Sequence, residues 1–249
     1  MRIGVVTFPG SLDDRDAQRA VREAGGQAVA LWHGDSSINN VDAVILPGGF
    51  SYGDYLRCGA ISRFAPVMTD VIEKAKAGLP VLGICNGFQI LCEAGLVPGA
   101  LLHNVSHKFI CKNVFIKPVH TESAITAQLV VNQAYKIPIA HGEGNFFADE
   151  KTMKKMSDNK QILFQYCDVS GNVTEAANPN GSLKNIAGIC NATRNVFGMM
   201  PHPERAAENA LANTDGFHLF SSLQYFLSKL QFVLPRLQYS YYTQQFQYL

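Results

Sequence analysis

Pro80-Val-Leu-Gly-Ile-Cys-Asn-Gly-Phe-Gln-Ile-Leu91 takes a buried apolar strand straight into a helix, with Gly83-Ile-Cys85-Asn-Gly87 at the junction. The spacing is that of a nucleophile elbow, glycine on either side of a reactive residue, with Cys in the place usually held by Ser. So sharp a turn brings the positions two residues before and after the nucleophile into collision unless both are Gly. It also sets the sulfur at a helix N-terminus, where the peptide dipoles favour thiolate. An isolated Cys is more simply read as a buried structural residue. The paired glycines and the strand-to-helix context tilt this one toward a nucleophile.

The flanking sequence repeats the same alternation. Residues 2–8 form a β-branched, apolar strand ending at Pro9-Gly10-Ser11. Asp13 to Ala24 reads as a helix with Asp13, Asp14 and Asp16 at its positive end and Gly25-Gly26 at its stop. Gln27 to Leu31 and Asp42 to Leu46 are strands, Pro66 to Ala77 a helix, Leu79 to Ile84 a strand and Asn86 to Ala94 a helix. Strands alternating with helices predict an α/β fold: an open, mostly parallel sheet with helices on both faces. Further on, Val114 to Val119, Ile137 to Ala140, Ile162 to Cys167 and Ile186 to Ala192 are strand-like and separated by turn signals. They are expected as antiparallel or mixed additions to the same sheet, and Phe217 to Leu230 as a closing helix. One domain over 1–230 is followed by a Tyr- and Gln-rich tail, 231–249, expected to be a weakly ordered terminus.

Bulk properties exclude several classes of function. The 249 residues suffice for a large α/β core, and 47% hydrophobic against 16% charged residues is a globular balance. With 21 Lys and Arg against 20 Asp and Glu, the net charge of +1 offers no bulk attraction for nucleic acid or an anionic membrane. The cysteines, 58, 85, 92, 111, 167 and 190, contain no C-x-x-C pair, so neither a zinc ribbon nor a thioredoxin-like site is expected. No metal site is expected elsewhere. The first residues carry too short an apolar run for a signal peptide, and no stretch is long enough to cross a bilayer. A cytoplasmic, reducing location is the simplest expectation.

A nucleophilic Cys needs a base, and the base an orienting group. Of seven histidines, His202 stands out in Pro201-His-Pro-Glu204. Prolines on both sides restrain the backbone, and in an extended segment Glu204 would point the same way as His202. A lone H-x-E is more simply a surface loop. Alongside the elbow it supplies the missing partners. The oxyanion of acyl transfer needs N–H donors. Pro47-Gly48-Gly49 leaves the C-terminal end of a parallel strand, where open α/β sheets build their sites, and N–H groups of Gly49 and Asn86 would suit. An ordinary Gly-rich turn is the plainer alternative, and no phosphate-loop pattern occurs in the chain.

Taken together, Pro47-Gly48-Gly49, Gly83-Ile-Cys-Asn-Gly-Phe-Gln89 and His202-Pro-Glu204 resemble the class I, triad-type glutamine amidotransferases. Phe8-Pro-Gly-Ser11, Asp14-Arg-Asp16, Gly48-Gly-Phe-Ser-Tyr-Gly-Asp-Tyr-Leu-Arg57, His141-Gly-Glu-Gly144 and Pro201-His-Pro-Glu-Arg205 narrow the likeness to the glutaminase subunits of phosphoribosylformylglycinamidine synthases, over residues 1–230. Two features depart from that pattern: Asn145 stands where Arg usually follows His-Gly-Glu-Gly, and the tail lies outside it. The resemblance implies that Gln89, Gly48, His141 and Gly142 line the glutamine pocket. It also implies that the chain itself needs no cofactor. ATP and Mg would be expected on a synthetase large subunit that receives the ammonia, with a small bridging subunit as a further partner. Roles for Asp54 and Arg57, at the glutamine site or at the partner surface, stay open. The rivals are another cysteine hydrolase of this fold, such as a γ-glutamyl hydrolase or a peptidase, and a catalytically silent binding subunit. Asn86 counts against the peptidases, which often have His directly after the nucleophile.

Overall fold

The computed structural model describes residues 1–230, so the tail at 231–249 lies outside the described residues. The first half is β1 (Arg2–Thr7), α1 (Asp14–Glu23), β2 (Gln27–Trp32), β3 (Ala43–Leu46), α2 (Pro66–Lys76), β4 (Val81–Ile84) and α3 (Asn86–Glu93). Its four strands pair in parallel in the order β2-β1-β3-β4. The chain moves one way from β1 to β2 and the other way from β3 to β4. Right-handed crossovers therefore put α1 and α2 on opposite faces, and a cleft opens at the carboxyl ends of β1 and β3. Every residue of β3 and β4 is buried, as expected for strands covered on both sides.

The second half adds β5 (Ala100–Leu102), β6 (Ile110–Pro118), β7 (Tyr135–His141), β8 (Asn145–Phe147), α4 (Glu150–Asp158), β9 (Ile162–Cys167), β10 (Ile186–Cys190), β11 (Val196–Met199) and a helix α5 over 217–230. The main sheet has nine strands in the order β2-β1-β3-β4-β11-β10-β9-β6-β7, five of them parallel and four added antiparallel. The short strands β5 and β8 form a separate antiparallel ribbon.

The expected elements are present, with ends shifted by a few residues. Four elements have no counterpart in the sequence reading. β5 and β8 are three residues each, too short for alternation to register. α4 is a Lys- and Met-rich amphipathic helix that buries Met153 and Met156, and Asp149 caps it by accepting from Thr152 N at 2.6 Å. β11 is the consequential one. It enters the centre of the sheet between β4 and β10, parallel to β4, with Met199 opposite Ile84. The Asn195 side chain fixes its start by donating to Ala75 O (2.7 Å) and Leu79 O (2.9 Å) behind α2.

The elbow glycines are where sterics demand them. A side chain at Gly83 would meet the Gly87 carbonyl at 2.6 Å, and one at Gly87 would run into the backbone of Leu46 on β3. Gly198 is likewise covered by the Phe88 ring, which lets α3 lie directly on β11. Replacing Gly87 with Ala forces α3 off the sheet. The expected cost is about 1–3 kcal/mol, the usual range for overpacking, read as a lower urea midpoint with an unchanged m-value.

Candidate active site

Cys85 sits between β4 and α3 with φ 49° and ψ −105°, a conformation that costs a non-Gly residue about 1–3 kcal/mol. The neighbours hold it there. Its N–H donates to Met199 O (2.7 Å), and its carbonyl accepts from Phe88 N and Gln89 N. The thiol is almost fully buried, and Sγ is 3.7 Å from Ala140 O on β7. Burial pushes Cys167 and Cys190 up to about 11, and raises Cys58 and Cys92 as well, which disfavours thiolate at those four positions.

Because Met199 is in register with Ile84, the chain leaving β11 emerges beside Cys85 and delivers His202 to it. His202 N–H donates to Pro138 O at 2.8 Å, pinning the loop to β7. Residues 203–206 form a 3₁₀ turn rather than the extended segment expected from alternation. The turn, with Pro203 in its first position, is what brings the carboxylate back: Glu204 Oε1 lies 2.6 Å from His202 Nδ1. Both side chains are buried. A carboxylate on Nδ1 fixes the proton there and leaves Nε2 free to take one. His202 Nε2 has no hydrogen-bond partner among the described residues, and the Cys85 sulfur adjoins the ring. Burial works against the imidazolium, but Glu204 and Cys85 outweigh it and hold the His202 pKa well above its ordinary value. The arrangement therefore favours a protonated imidazole beside the sulfur.

The expected oxyanion loop crosses the same cleft. Gly49, at φ 141°, bridges to Ser11, while Leu12 N donates to Gly48 O at 3.1 Å and Phe50 N to Gly10 O at 2.8 Å. The loops after β1 and β3 thus brace each other. A side chain at Gly49 would strike Gly10 O at 2.6 Å, and one at Gly48 would meet the His202 ring at 2.7 Å. Asn86 is buried, and its side chain ties three parts of the site together. Oδ1 accepts from Ser51 N (3.1 Å), and Nδ2 donates to Asp54 Oδ1 (3.1 Å) and Gln89 Oε1 (2.8 Å). Gln89 is buried too, and its Nε2 donates to Glu143 O at 2.7 Å. One N–H and one acceptor lone pair of that amide stay available. Asp54 belongs to this network, whereas Arg57 pairs with Glu93 on the exposed side of α3 (2.7 Å).

His141 ends β7, Gly142 follows it, and both are organised by Asn104, a residue for which the sequence carries no signal. Asn104 Nδ2 donates to His141 O (2.8 Å), its N–H to Gly142 O (2.9 Å), and its Oδ1 accepts from Gly144 N (3.1 Å). Beside it a cavity of about 550 Å³ is lined by Arg57, His103, Asn104, Glu143 and Asn145, and Asn145 Nδ2 reaches His103 O at 3.4 Å. Asp13, by sequence only a helix-end charge, lies on the same Nδ1 side of His202 as Glu204, with Oδ2 3.5 Å from Nδ1.

Acyl transfer through a thioester requires an attacking sulfur with a base against it, and a buried thiol and a carboxylate-bound imidazole meet here. The fold and site define a cysteine-dependent acyl-transfer enzyme. The chain belongs to the glutamine amidotransferases: residues 1–226 match the CobB/CobQ-like glutamine amidotransferase domain. It is 54% identical over 224 residues to the phosphoribosylformylglycinamidine synthase subunit PurQ of Moorella thermoacetica, covering 90% of this chain and 95% of that one. The PurQ subunit of Synechocystis sp. is 52% identical over 220 residues, covering 88% and 98%. A chain of the PurLQS structure from Thermotoga maritima superposes with a TM-score of 0.80 at 39% identity, covering 91% of this chain and 98% of that one. Among the described residues no helix is long and apolar enough to cross a membrane.

His141 yields a pH prediction. Burial, then the nearby His202 charge, lower its pKa to about 4. A His held neutral in the fold stabilises it fully above the unfolded value near 6.5, and that contribution is lost as pH falls toward 4. The unfolding free energy of wild type relative to His141→Gln should therefore drop by roughly 2–3 kcal/mol between pH 7 and pH 4.5, measured by urea titration at each pH.

Proposed function

We propose that this chain is the glutaminase subunit of a phosphoribosylformylglycinamidine synthase, cleaving the side-chain amide of glutamine and handing the ammonia to a synthetase subunit in purine biosynthesis. The observation that carries the chemistry is the buried Cys85–His202–Glu204 arrangement, with Nδ1 bound to the carboxylate and Nε2 free on the sulfur side. The identity of the relatives, about half of all positions over nearly their whole length, supports the particular synthase.

Cys85 thiolate attacks the amide carbon, and the carbonyl π electrons move onto oxygen. N–H groups of Gly49 and Asn86 receive that oxyanion. As the tetrahedral species collapses, the C–N bond breaks and His202 gives its proton to the leaving nitrogen, releasing ammonia. The γ-glutamyl thioester is then attacked by water, whose proton goes to His202. Cys85 leaves as thiolate with glutamate as product. Glu204 keeps the ring oriented and balances its charge at each transfer. The remaining N–H of Gln89, Gly48 and the backbone of His141 and Gly142 hold the amino-acid end of the substrate.

Ammonia set free in water is protonated and lost as a nucleophile, so the product needs a receiving site. ATP and Mg belong to the synthetase large subunit in this reading, and a small bridging subunit completes the assembly. The Thermotoga maritima PurLQS structure supports a multi-subunit complex. The expected signature is a split of activities. Cys85→Ala abolishes glutamine-dependent synthesis by the complex and leaves synthesis from added ammonium salts intact. Equal loss of both would make Cys85 structural and remove the proposal.

A further inference from the structure

Asp13 occupies the N-cap position of α1 but makes no side-chain cap. Asp at that position normally accepts from the first free N–H groups of the helix, worth about 1 kcal/mol. Here the carboxylate is buried and turned into the active site instead. One oxygen, Oδ2, faces His202 Nδ1 at 3.5 Å, and the other accepts from the Arg205 guanidinium. Arg205 also reaches Asp16 (3.6 Å), Asp16 pairs with Arg19 (2.8 Å), and Arg19 with Glu208 (2.6 Å). A ladder of alternating charges thus runs from the surface to the imidazole. Gly48 completes the nest: a side chain there would collide with both Asp13 and the His202 ring. A local preference given up at a site of chemistry points to function.

We propose that Asp13 is a positioning residue for His202, a second carboxylate on the Nδ1 side that is clamped by Arg205 and favours the protonated ring. The proposal rests on His202 being the base of Cys85. The charged and titratable groups facing the ring are Glu204 from its own segment, Asp13 from the start of α1, Cys85 from the elbow and His141 from β7, with Arg205, from the same turn as Glu204, behind Asp13. Asp13, His202 and Glu204 also bring ligand-type atoms within 4.8 Å of one another. The Arg205 guanidinium already supplies the positive charge on Asp13, so the cluster is read as a base with its supports rather than as a cation site.

Asp13→Asn keeps the shape and the contact to Arg205 but removes the charge. The assay is the rate of iodoacetamide modification of Cys85 in the full chain against pH, followed at that residue by peptide mass spectrometry. The wild-type labelling profile supplies the reference midpoint. In Asp13→Asn the midpoint should move up by about one pH unit, because the imidazolium beside the thiolate has lost a neighbouring anion. Asp14→Asn removes a carboxylate from the same helix end, one that binds Thr7 instead (2.7 Å), and should leave the midpoint in place. The proposal is overturned by an Asp13→Asn profile coincident with wild type, or by an equal shift in Asp14→Asn. Should Asp13→Asn fail to fold, Asp13→Ser takes its place under the same criteria. His202→Asn separates the two readings: if it leaves the wild-type profile unchanged, the base assignment fails, whatever Asp13 does.

Discussion

The parallel register of β4 against β11 is the constraint on which the site depends. Ile84 and Met199 are partners, so the two strands end level and release Cys85 and the Met200–Glu204 segment side by side. The hydrogen bond from Cys85 N to Met199 O then holds the strained elbow against the strand that leads to His202. A slip of one residue would turn the inward side chains of β11 outward and move the imidazole off the sulfur. Burial of both strands on both faces makes that slip costly, so the site inherits its precision from core packing rather than from the loops.

The loops contribute a different kind of order. Gly10 and Gly49 let the turns after β1 and β3 cross-bridge at close range, and the Asn86 side chain fastens the second of them to the start of α3. The segments of Gly49 and Asn86, whose N–H groups are proposed to receive the oxyanion, therefore belong to one hydrogen-bonded unit. The buried Gln89 continues it to Glu143, joining the helix to the loop after β7.

Much of this was legible in the chain alone. The Gly-x-Cys-x-Gly spacing has one steric meaning, and Gly83 and Gly87 show it: each faces backbone with no room for a methyl group. Pro-His-Pro-Glu marked an imidazole and a carboxylate that do meet, although the geometry is a 3₁₀ turn and not alternation along a strand. What could not be read was long-range placement. β11 is four residues whose pattern says nothing about insertion beside β4, and Asn104 acts through loop carbonyls that no local spacing marks. Asp13 looked like an ordinary helix-start residue because capping is the local use of Asp, and only the fold shows that use given up.

The position of β11 also bears on the order of synthesis. The strand that completes the centre of the sheet is made last among the described strands, and Asn195 reaches back across 116 residues to Leu79. Until residues 196–199 leave the ribosome, β4 has an open edge and Cys85 has neither its backbone clamp nor its imidazole. A nascent chain stopped earlier would carry the Cys85 thiol without the imidazole beside it, so the pairing of the two side chains waits on completion of the sheet.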